Sequence, residues 1–216
     1  TSDPSDLIDL VYNLNKDEGV DGILVQSPLP DGFDEISITE MIDPEKDVDG
    51  FHPVNLGRIV TGKVDGLLPC TPSAVIHMLE STGERLAGKK ALVVGRSRIV
   101  GMPAALLLAQ KGVDATVTIS HSRSSDLQGL CLDSDIIVAA VGRPGMIKSD
   151  WVKSGAIVID VGINRIETEG GSKLVGDVEK GASDRASWMT PVPGGVGPMT
   201  IAMLMRNTIR AAGDEV

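Results

Sequence analysis

Apolar and polar residues alternate along this chain on two different periods. In DPSDLIDLVYNLNKD the apolar residues fall at helical spacing: Leu7, Ile8, Leu10, Val11 and Leu14. Residues three and four apart share a helix face, so the spacing predicts a helix. Ser2 or Asp3 would cap it, with Pro4 in the first turn. In DGILVQSPLP, Ile23 to Val25 read as a short buried strand, stopped by the two prolines after Gln26. A region rich in Asp, Gly and Pro then carries DPEKDVDGFHPVNLGRI and reads as loop. CTPSAVIHMLESTG predicts a helix with Thr71 as cap, Pro72 at its first position and Gly83 at its end.

Beyond this point strands and helices alternate strictly. KALVVG reads as a buried strand and VGMPAALLLAQKG as a helix ending at Gly112. ATVTIS is a strand, SDLQGLCLDS a short helix, DIIVAAVG a strand, KSDWVKSG a helical turn and AIVIDVG a strand. Continuous aliphatic strands separated by helices predict a parallel sheet covered on both faces. The fold class is therefore α/β. A doubly wound parallel-sheet domain is expected over 71–191, with a smaller α/β domain over 1–70. The latter is joined by a loop and final helix over 192–216, the helix running from about Met199 to Ala212.

Composition adds limits. With 42% hydrophobic residues but only 2% aromatic, the core of this 216-residue chain must be aliphatic. The net charge of −10 argues against a general nucleic-acid surface, so an anionic ligand needs local donors. Cys70 and Cys131 stand far apart in no metal pattern, which predicts no metal and a reduced, intracellular protein. No apolar run reaches membrane-spanning length and no signal peptide is visible. The chain opens at Thr1 without a methionine, so an upstream part is expected.

Candidate chemistry begins at VVGRSRIVGMP, which joins the first strand of the larger domain to its helix. Ligands of such sheets lie outside the carboxyl ends of the strands, and a helix start offers N–H groups to phosphate. Gly95 allows the tight turn and Gly101 close helix–sheet packing. The spacing matches neither the common dinucleotide fingerprint nor a Walker A loop. The second strand runs into HSRSSD, so His121, Ser122 and Arg123 stand where an acidic residue would select NAD. Hydroxyl and guanidinium donors suit a 2′-phosphate, and Arg96 could reach the same group; this favours NADP. Surface charge is the alternative for both arginines. The third and fourth strands end in AVGRPG and DVGIN, leaving room for the nicotinamide half, where Ile163 could pack on a ring.

Three segments remain: GILVQSPLP, DPEKDVDGF and PVPGGVGPMT. Asp49 could accept hydrogen bonds from an aminopyrimidine edge, since a carboxylate pairs bidentately with neighbouring N–H groups. Gln26, at a strand end, could orient a catalytic group. Asp47 and Asp49 could equally be turn formers or ion-pair partners of Lys46. His77 reads as structural; His52 is a weaker candidate for the same site as Asp49.

Taken together, DGILVQSPLP, DPEKDVDGFHPVNLGR, PCTPSAV, VVGRSRIVGMP, HSRS, VAAVGRPG, GAIVIDVGIN, VGDV and TPVPGGVGPMT closely resemble the bifunctional methylenetetrahydrofolate dehydrogenase/methenyltetrahydrofolate cyclohydrolase family, in its order and over essentially the whole chain. The resemblance implies NADP-linked oxidation of 5,10-methylenetetrahydrofolate to the methenyl form, then hydrolysis to 10-formyltetrahydrofolate. It implies that Gly95, Arg96, Ser97, Ser122 and Ile163 touch the cofactor. Gln26 and Asp49 would serve the folate site, with Gly194 and Gly195 in the loop closing over it. Tetrahydrofolate one-carbon derivatives would be the partners, in a homodimer; a cytoplasmic location is expected, with an organelle as the alternative, and from charge and hydropathy neither nucleic acid nor membrane is expected as a partner. Family members also carry a Tyr-x-x-x-Lys segment on an upstream helix, whose lysine is assigned to catalysis. Tyr12 and Lys16 mimic that spacing on a later helix, and the role is not transferred to them. Without that lysine the chain alone is expected to have little cyclohydrolase activity. The alternatives are a non-catalytic NADP- or folate-binding fragment or paralogue, and a two-domain dehydrogenase for amino or hydroxy acids.

Overall fold

The computed structural model describes residues 3–168 and 171–214. It divides into two compact units. One is the chain up to Cys70 and from Ala202 on; the other is Thr71–Ile201. The division falls inside the last helix, ten residues beyond the position 191 expected from sequence.

In the first unit, α1 (Pro4–Lys16) begins with a reciprocal cap. The Asp3 carboxylate accepts from Ser5 N–H, and the Asp6 carboxylate accepts from Asp3 N–H. The alternative cap, Ser2, lies outside the described residues. Val11 is buried against Ile23, Ile38 and Ile42, with Leu7 and Leu14 packed beside them. The expected strand at Ile23–Val25 is reduced to one parallel bridge between Ile23 and Asp47. The reason is local: Ile23 N–H reaches Lys46 O at 2.7 Å, but the partner segment turns away at once, with Gly50 N–H closing on Asp47 O. The expected loop contains two short helices, α2 (Glu35–Met41) and α3 (Pro53–Val60). Both begin at cap signals, Asp34 before α2 and His52–Pro53 before α3, but neither is long enough to show a period.

The second unit opens with α4 (Cys70–Ser81), which starts two residues before Pro72, its expected first position. Thr71 therefore lies within the helix rather than at its cap, and its hydroxyl pairs with that of Thr200 at 3.1 Å. Then follow β1 (Lys90–Val94), α5 (Gly101–Leu108), β2 (Thr116–Ser120), α6 (Leu127–Asp133), β3 (Ile136–Ala139) and β4 (Ile157–Asp160). A 3-10 turn at Ser149–Trp151 precedes β4. A hairpin that the sequence did not announce, β5 (Asn164–Thr168) and β6 (Gly171–Val175), comes next, then a two-residue strand β7 (Trp188–Met189). The last helix, α7 (Val196–Ala211), starts three residues before the expected Met199. Its Pro198 falls in the first turn, where a missing N–H costs nothing.

The main sheet is parallel, in the order β2-β1-β3-β4-β7, so β1 has successive strands on either side. β3 and β4 are buried throughout, and β1 at all but its first residue, which is why they read as unbroken aliphatic runs. Leu92, Val94, Ile137, Ala139 and Val158 form the core with Cys131 and Ile147. Register sets Ser120, Val94, Ala139 and Asp160 level with one another. The segments after all four strands therefore emerge along one edge.

Candidate active site

Two sets of candidate residues are built here, one in each unit. In the first, the Asp49 turn is held from several sides. The buried Asp47 carboxylate accepts from Gly50 N–H (3.2 Å), His52 N–H (2.7 Å) and Asn55 Nδ2 (2.9 Å). It is a turn former. Lys46 is not its ion-pair partner, because Lys46 Nζ donates to the Leu14, Asn15 and Asp17 carbonyls at the end of α1. Gly50 has φ +75°, and a Cβ there would lie 2.3 Å from the Leu68 carbonyl carbon, so only glycine lets these backbones meet. Asn207 of α7 donates to Val48 O and Leu68 O, both at 2.8 Å. Both ring nitrogens of His52 are engaged: Nδ1 accepts from Val54 N–H and Nε2 faces Glu40 O. His52 is thus a structural cap, and His77 is exposed on α4.

Asp49 itself stays half-buried, without the amide donors that Asp47 has. Burial first, and the nearby Asp47 second, push its carboxyl from 3.8 up to about 6. Gln26 is exposed, its amide donating to Ser27 O at 3.0 Å. Its loop is fixed by Glu35, which accepts from Ser27 Oγ (2.8 Å) and Leu29 N–H (2.7 Å). Burial drives the Cys70 thiol up to about 12, so it is no nucleophile. Tyr12 and Lys16 satisfy each other on α1, with the ammonium hydrogen-bonded to the hydroxyl and 4.0 Å from the ring centre.

In the second unit the edge after β1 and β3 is the point where the strand order reverses. Gly95 has φ +119°, and a Cβ on it would meet Ala140 O at 2.2 Å. A Cβ on Gly101 would meet Gly95 O at 2.3 Å. Bare backbone is therefore required at both ends of the turn. The expectation of open N–H groups at the start of α5 needs correcting. Ser97 Oγ accepts from Val100 and Gly101 N–H, Ser97 O accepts from Met102 N–H, and Pro103 has none. What remains for an anion is earlier in the turn. The Ser97 hydroxyl proton is unused, the Arg96 side chain is exposed, and among the described residues Arg96, Ser97 and Ile99 N–H have no protein acceptor.

At the end of β2 the chain closes on itself. His121 N–H donates to Ser124 Oγ, and Arg123 N–H to His121 Nδ1. Ser122 and Arg123 are left exposed, with no carboxylate among the residues that follow the strand until Asp126, which caps α6. This donor set, with the glycine cradle beside it, fits a phosphorylated dinucleotide. Ile163, after β4, is 58% exposed, an apolar side chain held out at the site edge. Gly194 is exposed at φ +100°, whereas Gly195 is buried with the place of its Cβ 2.5 Å from Pro191 O. The loop thus folds tightly on itself at Gly195 and presents bare backbone at Gly194.

The sequence reading passed over two buried carboxylates on this edge. Asp177, after β6, accepts from Val141, Gly142 and Arg143 N–H at 2.7–2.9 Å and from Asn164 Nδ2 at 2.8 Å. Asp160 accepts from Gly162, Asp177 and Val178 N–H, and its own N–H donates to Thr190 Oγ1 at 2.8 Å. Burial holds the Asp160 carboxyl above the ordinary carboxylate range, while those amides pull the other way. The one available signal was glycine placement. A Cβ on Gly162 would lie 2.3 Å from Asp177 Cγ, and one on Gly176 would lie 1.9 Å from Asp160 Oδ2.

Residues 69–216 match the model of the tetrahydrofolate dehydrogenase/cyclohydrolase NAD(P)-binding domain, and residues 1–49 that of the catalytic domain of the same family. The bifunctional protein FolD of Acetivibrio thermocellus is 56% identical over 96% of this chain and 71% of its own length. Among solved structures, the bifunctional FolD enzyme of Campylobacter jejuni aligns at a TM-score of 0.93 with 45% identity, over 99% of this chain and 74% of its own. The Trypanosoma brucei enzyme, solved with NADP and an inhibitor, gives 0.90 and 41%, over 98% and 73%. This chain belongs to the tetrahydrofolate dehydrogenase/cyclohydrolase family and carries its NAD(P)-binding domain.

Proposed function

We propose that the two constellations above serve NADP-linked oxidation of 5,10-methylenetetrahydrofolate and hydrolysis of the methenyl product to 10-formyltetrahydrofolate in distinct roles; neither constellation supplies the proton-handling group of the second step, so the chain alone should oxidise its substrate but hydrolyse little. NADP is the cofactor, and when bound it supplies acceptance of a hydride from the one-carbon bridge. The observation that carries the reading is the phosphate cradle at the strand-order reversal. Gly95 admits the dinucleotide, Arg96 and Ser97 donate to it, and Ser122 with Arg123 takes the 2′-phosphate where a carboxylate would repel it. Ile163 packs beside the ring. Asp49, in its ionised form, accepts from the aminopyrimidine edge of the folate, Gln26 orients the reacting group, and the Gly194–Gly195 backbone lies flat against substrate. Cyclohydrolysis also needs a group to handle a proton near the bridge; Lys16, engaged by Tyr12, is not assigned that role.

The same reading includes a homodimer in the cytoplasm that binds neither nucleic acid nor membrane. Two buried free thiols fit a reducing compartment and a net charge of −10 tells against a nucleic-acid surface, while the homodimer rests on the family alone; among the described residues no helix is long and apolar enough to cross a membrane.

Titration with NADP and with NAD tests the cofactor roles. The chain should bind NADP on the order of 10²-fold more tightly, as expected when one phosphate gains charge-assisted donors. Ser122→Asp should abolish that preference. Equal affinities in the unsubstituted chain would refute the assignment of Ser122 and Arg123.

A further inference from the structure

We propose that Asp177 is a positioning residue for the nicotinamide half of the cofactor, acting through the backbone after β3, with Asp160 holding it in place. The inference rests on the cofactor reading above and extends it to residues with no assigned role.

Four N–H donors converge on the Asp177 side chain, which is fully buried. Its Oδ2 takes Val141 and Gly142 N–H; its Oδ1 takes Arg143 N–H and Asn164 Nδ2. Only a carboxylate offers acceptor sites for four donors and no donor of its own. The partners are dipoles rather than a counter-ion, so the charge serves to hold three successive amides in one orientation. Asp160, 2% exposed, does the same one layer further in, fixing the backbone at Asp177, Val178 and Gly162. Through its N–H it also reaches Thr190, where the Pro191–Gly195 loop begins.

What these carboxylates clamp is informative. The sheet ladder ends at Ala139 and Asp160; beyond it Val141 still packs on the core, whereas the next two residues leave it. Gly142, Arg143 and Ile163 are exposed immediately outside the carboxyl ends of β3 and β4. If the adenosine half lies by the end of β2, the other half must run toward β3 and β4. Asp177 thus joins the two connections that flank the reacting ring, at Val141–Arg143 and at Asn164. Such a buried layer behind a site sets its geometry to a fraction of an ångström.

Asp177→Asn is a demanding test because either orientation of the new amide turns its NH₂ toward two N–H donors. NADP and adenosine 2′,5′-bisphosphate, which lacks the nicotinamide half, are titrated against the full chain. The expected result is a Kd for NADP raised about tenfold and a Kd for the bisphosphate unchanged, with kcat falling on the order of 10²-fold as the ring is misplaced. Adding Asn164→Asp gives the introduced NH₂ an acceptor, freeing its oxygen for Val141 and Gly142, and should recover part of the NADP affinity. Asn164→Ala removes one of the four bonds and serves if Asp177→Asn does not fold; it should weaken NADP about threefold and spare the bisphosphate. A parallel loss of both ligands, or no change in either, would overturn the positioning role. Failure of the unsubstituted chain to bind NADP would instead overturn the cofactor reading, and this role with it.

Discussion

Asp47 and Asp49 are two residues apart, yet the chain treats them oppositely. Asp47 has its oxygens filled by amides, whereas Asp49 keeps its carboxyl half-buried and available. With the Asp49 pKa raised from 3.8 to about 6, the folded state binds more protons than the unfolded chain between those values. Stability therefore falls as pH rises from about 4 through about 6, and levels above. Substrate recognition runs the other way, because an aminopyrimidine edge needs the ionised acceptor. KM for methylenetetrahydrofolate should rise as pH drops below about 6, and Asp49→Asn should raise it at least about tenfold at neutral pH while flattening both profiles. Steady-state kinetics and thermal melts across that range check this; a pH-independent KM in the unsubstituted chain would contradict it. From sequence, Asp49 could be singled out as a candidate acceptor beside Gly50, but Asp160 and Asp177 could not. Their partners are backbone amides as far as 36 residues away, and amides carry no residue signature.

Elements were legible where burial wrote a long pattern. β1, β3 and β4 read correctly because both faces are covered, and α1 because its cap and its period agree. The short helices α2 and α3 and the β5–β6 hairpin were missed because neither has room for a period and the hairpin is largely exposed. The Ile23–Val25 strand failed for a different reason: apolar residues license a strand, but only a continuous partner makes one. The turn between β1 and α5 is the element on which the cofactor reading depends. Gly95→Ala places a methyl against Ala140 O in a left-handed backbone, which should cost on the order of 2–4 kcal/mol and abolish NADP binding. Urea denaturation with NADP titration checks it; a loss below about 0.5 kcal/mol with binding intact would mean that the turn is not so constrained.

At the scale of the molecule, the α/β class and the parallel sheet followed from the alternation of strand and helix patterns. A net charge of −10 on a chain that takes a polyanionic cofactor requires its donors to be concentrated, and the proposed reading puts them in the Gly95–Gly101 and His121–Ser124 turns. In the proposed reading folate recognition rests instead on an acceptor, Asp49, so the two ligands would be distinguished by opposite local chemistry within one acidic protein. The catalytic reading and the alternative of a binding module without turnover agree on everything except chemistry. The most direct measurement is the appearance of the near-ultraviolet band of reduced nicotinamide when the purified chain is mixed with 5,10-methylenetetrahydrofolate and NADP. The account predicts NADPH formation that requires the folate and is far slower with NAD. NADP binding without any NADPH formation would contradict it and leave a binding module in its place.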